Sequence, residues 1–180
     1  MFLMDVNVLV YAHREDAATH LAYRQWLESV INGRGSFAYS ELVLSGFLRI
    51  VTHPKIFEIP STLSSALCFI QQIRTLPNAV CLAPGSMHWQ IFMDFMEQIN
   101  ATGNDIPDSY HAALAMEWGC EWVTTDKGFK RFKGLKVRHP LTLSNNSCPE
   151  NHDFINPACL SMRFSVGITS SQCFLRMRII

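Results

Sequence analysis

The feature that most restricts the fold of this chain is an alternation of short apolar runs with longer amphipathic segments. Runs of strand length occupy residues 2–6, 36–39, 79–82 and 121–124, and residues 136–138 suit a small edge strand. Between these runs, apolar residues recur every three or four positions, as in helices that cover a core on one side. Strands alternating with helices predict an α/β fold. We therefore expect a three-layer sandwich with a central parallel sheet of four or five strands flanked by helices and joined by right-handed crossovers.

Local signals place several helix ends. Ser40 is expected to cap a helix over Glu41–Val51, because a serine hydroxyl accepts a hydrogen bond from a free N–H of the first turn. Residues 107–109 are expected to start a later helix. One apolar stripe at helical spacing predicts core positions on the helix before it: Trp89, Phe92, Met93, Met96 and Ile99.

The periodic pattern ends after Leu141, and this divides the chain into two regions. Residues 1–142 are predicted to form one domain. Residues 143–180 carry scattered apolar side chains without a period, and we predict a C-terminal extension that is poorly ordered or non-native. The sequence has no apolar run of membrane-spanning length and no basic segment before Asp5, so we expect a cytoplasmic protein without a membrane anchor.

Positive charge is concentrated late in the predicted domain, although the formal net charge of the chain is +0. Six basic residues lie between Thr124 and Pro140: Lys127, Lys130, Arg131, Lys133, Lys136 and Arg138. Such a cluster beside an acidic centre suits a polyanion that is held by its backbone. The alternative is a solvated lysine-rich loop.

Four acidic residues fall at the carboxyl ends of predicted strands or at the starts of neighbouring helices. Asp5 ends the first strand, and Glu41 opens the helix after the second. Asp108 opens the helix before the fourth strand, and Asp126 follows that strand directly. Ligands of parallel sheets bind at this edge, so the fold is expected to bring the four carboxylates together.

Clustered carboxylates repel one another, and a divalent cation removes that cost. Hard oxygen ligands with open water positions suit Mg²⁺, with Mn²⁺ as the alternative. Each acid also has a local explanation: Asp108 as a helix cap, Glu41 through the helix dipole and Asp126 in a turn. Asp5 is harder to explain locally, because a carboxylate at the end of a buried strand needs a partner. Neither a GxGxxG nor a P-loop lysine motif occurs, so no nucleotide cofactor is expected.

Four stretches of the sequence, in this order and at this spacing, resemble the PIN-domain family and specifically its VapC toxins. They are residues 5–12 (DVNVLVYA), 40–42 (SEL), 103–115 (GNDIPDSYHAALA) and 124–129 (TTDKGF), and the similarity runs from residue 2 to about residue 142. The resemblance implies an RNA endonuclease that depends on Mg²⁺ and forms a homodimer. It also implies the toxin of a toxin–antitoxin pair, inhibited by a cognate antitoxin protein that enters the site.

The resemblance also implies roles for particular residues. The acidic metal ligands of the family correspond to Asp5, Glu41, Asp108 and Asp126 of this chain, which are the expected catalytic residues. Asn7 and Thr125 match supporting positions that orient water or carboxylates.

Two other functions are compatible with the same residues. An aspartyl-phosphate phosphohydrolase also places an aspartate after its first strand, as the nucleophile. Such an enzyme normally has a second aspartate two residues later, where this chain has Asn7. A non-catalytic module would bind RNA or a partner protein without cutting, and its binding would not depend on the four acids.

Overall fold

A five-stranded parallel sheet forms the centre of a computed structural model that describes residues 1–142. The strands are β1 (Phe2–Met4), β2 (Phe37–Tyr39), β3 (Ala79–Cys81), β4 (Glu121–Val123) and β5 (Val137–Arg138). Their order across the sheet is β3-β2-β1-β4-β5. This confirms the predicted α/β fold, including the small edge strand. The predicted extension, residues 143–180, lies outside the described residues.

Six helices flank the sheet within the described part of the chain. They are α1 (Val6–His13), α2 (His20–Ile31), α3 (Glu41–Val51), α4 (Leu63–Arg74), α5 (His88–Ile99) and α6 (Asp105–Glu117). A short 3₁₀-helix, Lys127–Arg131, connects β4 to β5. Ser40 caps α3 as expected, because its Oγ accepts a hydrogen bond of 3.2 Å from the N–H of Val43.

Helix α1 is not among the sequence predictions, because its sequence resembles a strand. Val6, Val8 and Val10 are β-branched residues, which usually favour strands. Asp5 nevertheless begins a helix here, since its side chain accepts a hydrogen bond from the N–H of Val6. Val8 and Val10 are buried against the rest of the core, and this burial outweighs the intrinsic preference.

Helices α5 and α6 each differ from the sequence predictions in one detail. On α5, Trp89 and Met93 were expected in the core but are 65% and 36% exposed. The buried face of α5 is formed instead by His88, Phe92 and Phe95, so the apolar stripe extends beyond the contact surface. Helix α6 begins at Asp105, and Asp108 therefore lies inside its first turn instead of capping it.

The register of the sheet fixes what lies at its carboxyl edge. Leu3, at the centre of β1, pairs with Ala38 of β2 on one side and with Trp122 of β4 on the other. All three side chains are fully buried. The residues that follow these strands therefore emerge next to one another.

No helix within residues 1–142 has the length and apolar character needed to cross a membrane.

Candidate active site

Asp5 lies at the centre of the carboxyl edge, between the end of β1 and the start of α1. Its Oδ1 accepts a hydrogen bond of 2.6 Å from the N–H of Val6. Its Oδ2 accepts one of 2.7 Å from Asn7 Nδ2 and another from the hydroxyl of Thr124. The carboxylate is thus held in one orientation from both sides.

The pKa of Asp5 is raised to about 6, mainly because burial removes the carboxylate from water. The hydrogen bonds from Thr124 and Val6 oppose this shift, whereas the negative charges of Asp108 and Asp126 add to it. Asp5 is only 7% exposed. A buried carboxylate with two acidic neighbours is a site at which a cation would be strongly favoured.

Thr124 is the site residue that sequence reasoning missed. The pairing of Met4 with Val123 places the next residues of the two strands, Asp5 and Thr124, side by side. The Thr124 hydroxyl donates to Asp5 and accepts from the N–H of Asp126 at 3.0 Å. A polar residue directly after a buried strand was the available signal, but only the register identifies its partner.

The two predicted supporting residues contact each other. Asn7 Oδ1 accepts a hydrogen bond of 3.2 Å from the backbone N–H of Thr125. Asn7 Nδ2 donates to Asp5 and also, at 3.0 Å, to Thr124 Oγ1. Asn7 therefore links the segment after β1 to the segment after β4, and Thr125 takes part through its backbone.

Asp126 caps the 3₁₀-helix that follows β4. Its Oδ1 accepts a hydrogen bond of 2.7 Å from the N–H of Gly128. Asp126 is exposed, so its carboxylate is open to solvent at the rim of the site.

Asp108 extends from the first turn of α6 and forms an ion pair with Arg131. Arg131 Nη2 lies 3.0 Å from Asp108 Oδ2, and Arg131 Nη1 lies 2.7 Å from Asp105 Oδ1. Burial raises the pKa of Asp108; Arg131 lowers it, and the charges of Asp126 and Asp105 raise it further. The carboxylates of Asp5, Asp108 and Asp126 are therefore close enough to influence one another.

Glu41 occupies a different position at the same edge of the sheet. It is the first residue of α3, directly after β2, and its side chain is 75% exposed. Glu41 Oε1 lies 3.7 Å from Arg74 Nη2 of α4. Its predicted role as a metal ligand remains a prediction.

The donor set fits a hard divalent cation. Carboxylate oxygens are the ligands that Mg²⁺ and Mn²⁺ prefer, and Mg²⁺ needs only one or two of them because it retains water. Within residues 1–142, no group of three histidine, cysteine or acidic side chains is arranged to hold an ion together. One oxygen of Asp108, Oδ2, already accepts a hydrogen bond from Arg131 Nη2.

The fold and the site define a class of protein, the α/β proteins with an acidic site at the carboxyl edge of a parallel sheet. A sequence model of the PIN domain matches residues 2–135. Ribonuclease VapC43 of Mycobacterium tuberculosis is 40% identical over 141 residues, which are 78% of this chain and 96% of that relative. Ribonuclease VapC25 of the same organism is 35% identical over 142 residues, 78% of this chain and 100% of that relative. The chain therefore belongs to the PIN-domain family, among its VapC ribonucleases, a family that is generally dependent on divalent metal ions.

Solved structures agree on the fold. VapBC2 of Rickettsia felis, bound to a DNA fragment from its promoter, has a TM-score of 0.57 at 18% identity, covering 77% of this chain and 97% of that chain. VapBC-1 of Haemophilus influenzae also has a TM-score of 0.57, at 14% identity, covering 78% of this chain and 98% of that chain. At these identities the similarity establishes the fold alone.

Proposed function

We propose that this protein is an endoribonuclease that uses Mg²⁺, or alternatively Mn²⁺, to hydrolyse RNA phosphodiester bonds, as the toxin of a toxin–antitoxin pair. The observation that carries the proposal is Asp5, a buried carboxylate with a raised pKa and with Asp108 and Asp126 beside it. Relatives at 35–40% identity that bear the name ribonuclease support the same activity.

In this proposal Asp5, Asp108 and Asp126 would hold the cation once it draws their side chains together, and Glu41 would join them from the neighbouring strand end. A bound divalent ion supplies an acidified water molecule and stabilises charge on the phosphate. Thr124 and Asn7 fix the orientation of Asp5 through its Oδ2, so that the carboxylate is already in place when the cation binds. Thr125 holds Asn7 in turn.

The proposed RNA-binding surface is the outer face of the 3₁₀-helix and the turn after it. Residues three apart lie on the same side of a 3₁₀-helix. Phe129 and Phe132 are buried and so face the core, which leaves Lys127, Lys130 and Lys133 exposed. These lysines begin directly after Asp126, so they suit the phosphate backbone of an RNA whose scissile bond lies at the acids.

We further propose a homodimer in the cytoplasm that is inhibited by a cognate antitoxin. Large exposed apolar side chains support a protein partner: Trp89 on α5 is 65% exposed, and Trp118, directly after α6, is 49% exposed. The related solved structures from Rickettsia felis and Haemophilus influenzae are VapBC assemblies, which also favours an antitoxin partner.

RNA cleavage with an Asp5→Asn variant tests the function. The purified protein is expected to cut RNA with Mg²⁺ or Mn²⁺ and to stop when EDTA is added. Asp5→Asn removes the central charge at nearly constant shape, so we expect at least about a hundredfold loss of activity. The matched control is Asp94→Asn, an exposed aspartate of α5 that accepts a hydrogen bond from Gln90, and it should retain full activity.

Other outcomes would favour the alternatives. Full activity of Asp5→Asn in a clean preparation would refute the assigned site. RNA binding without cleavage, unchanged when the acids are removed, would indicate a non-catalytic module. A covalent phosphate trapped on Asp5 would indicate a phosphohydrolase.

A further inference from the structure

Arg131 forms two ion pairs with the first turn of α6, and one of them occupies a proposed metal ligand. Its Nη1 lies 2.7 Å from Asp105 Oδ1, and its Nη2 lies 3.0 Å from Asp108 Oδ2. The side chains of Arg131, Asp105 and Asp108 are 35%, 27% and 32% exposed. One guanidinium is thus shared by two carboxylates three residues apart on one helix face.

The position of Arg131 follows from the 3₁₀-helix. Phe129 in this helix and Phe132 directly after it are both buried, and Arg131, which lies between them in the chain, extends toward α6. Its backbone is held as well, because Gln98 Nε2 donates a hydrogen bond of 3.0 Å to the carbonyl of Arg131. The two ion pairs and the hold on its backbone therefore place the guanidinium beside the acidic site.

Asp105 is fixed independently of Arg131. Its Oδ2 accepts a hydrogen bond of 3.0 Å from the backbone N–H of Thr102, which leaves Oδ1 for the guanidinium. Asp108 differs, since Arg131 is the hydrogen-bond donor to its Oδ2. If the ion pair with Asp108 breaks, Arg131 therefore still has Asp105 as a firmly placed partner.

We propose that Arg131 competes with the divalent cation for Asp108. Arg131 holds the Asp108 carboxylate, and a cation that binds there displaces the guanidinium from Asp108 and leaves it paired with Asp105. This inference rests on the proposed function, because it concerns the cation of the same site. Arg131 is then a positioning residue that sets the concentration at which the site fills. Asp105 is the residue that keeps the displaced guanidinium beside the site.

Calorimetric titration of the full chain with Mn²⁺ alone tests the competition without reference to activity. Arg131→Gln should bind Mn²⁺ about twofold to fivefold more tightly than the unmodified protein, the size expected for one partly exposed ion pair. The matched control is Lys130→Gln, which removes one positive charge from the exposed face of the same helix. Its affinity should change much less, since salt screens that charge.

Asp105→Asn tests the second half of the proposal. Without a charged Asp105, Arg131 pairs with Asp108 alone, so Mn²⁺ should bind more weakly. In the Arg131→Gln background the same substitution should have a clearly smaller effect, because the competitor is gone. Equal effects in both backgrounds would mean that Asp105 acts only through its own charge and would overturn its assigned role.

The two proposals fail in different ways. If the unmodified protein binds Mn²⁺ and cuts RNA but Arg131→Gln binds no more tightly, the competition is refuted and the nuclease function stands. If the unmodified protein binds no divalent cation, the proposed function is refuted and the competition with it. Thermal unfolding of each variant checks that the compared proteins are folded.

Discussion

At the scale of single residues, the buried groups Asp5 and His111 have pKa values that are shifted in opposite directions. Asp5 has its pKa raised to about 6, and His111 has its pKa lowered to about 4, in both cases chiefly because burial disfavours the charged form. His111 stacks on Trp122 in the core, with ring centroids 5.4 Å apart. One group belongs to the proposed site, and the other is part of the packing beneath it.

Substituting His111 with phenylalanine should remove one pH dependence of stability. A histidine whose folded pKa lies below its unfolded value of about 6.5 loses stability as the pH falls from about 6.5 to about 4. That loss amounts to about 3 kcal/mol for the shift of His111 to about 4. Urea unfolding gives the free energy of unfolding of the unmodified protein and of His111→Phe. We expect the value for the unmodified protein minus the value for the variant to fall by this amount as the pH is lowered.

The difference between the two proteins must be used, because Asp5 contributes with the opposite sign. Its raised pKa means that stability is lost as the pH rises from about 4 to about 6. Asp5 is present in both proteins, so its contribution cancels. A difference that stays constant with pH would show that His111 is not held neutral by the fold.

At the scale of elements, the 3₁₀-helix combines three roles in one turn and a half. Its cap, Asp126, is a proposed ligand; Phe129 anchors it to the core; and Arg131 contacts α6. Lys127 and Lys130 of the same helix are exposed. This division depends on the threefold repeat of the 3₁₀ geometry, which separates neighbouring residues onto different faces.

Neutralising the exposed lysines should weaken RNA binding without changing the chemistry. For Lys127, Lys130 and Lys133 all replaced by glutamine, we expect a higher KM and an unchanged kcat. The slope of log binding constant against log salt should fall by about 2, since each contact to a single-stranded phosphate contributes about 0.7. Binding is measured in the Asp5→Asn background, where RNA stays intact.

The control for this prediction is Lys55→Gln, an exposed lysine in the segment between α3 and α4 and outside the 3₁₀-helix. It should leave both KM and the salt slope unchanged. A lower kcat for the lysine variant at saturating RNA would contradict a role confined to binding.

At the scale of the whole molecule, the sheet brings side chains together that are far apart in sequence. Asp5 and Thr124 are hydrogen-bonded although 119 positions separate them. The central place of β1, between β2 and β4, puts Asp5 between the chain segments that carry Glu41 and Asp126. A cation bound at this edge would link several elements of the domain and so favour the folded state.

Mg²⁺ should therefore stabilise the protein against unfolding. A ligand that binds only the folded state adds about 2.7 kcal/mol when its concentration is about 100 times its Kd. We expect the melting temperature of the unmodified protein to rise with Mg²⁺ and that of Asp5→Asn to rise far less, as followed by calorimetry. An equal rise in both proteins, or the same rise with potassium chloride at matched ionic strength, would exclude specific binding at Asp5.

The sequence by itself determined the kind and order of most elements. Periodicity distinguished strands from helices, and Ser40 set the start of α3 through a contact only three residues long. Such features depend on neighbours in the chain, so local patterns are enough to predict them. The positions of Asp5 directly after β1 and of Asp126 shortly after β4 also followed from the pattern.

Only the tertiary structure decided which side chains meet. The pairing of Asp5 with Thr124 needs the register of β1 against β4, and the pairing of Arg131 with Asp108 needs the docking of α6 beside the 3₁₀-helix. Helix α1 likewise forms from strand-like residues because its valines are buried by distant segments. The physical reason is the same in each case: the free energy comes from contacts between residues that no local pattern brings together.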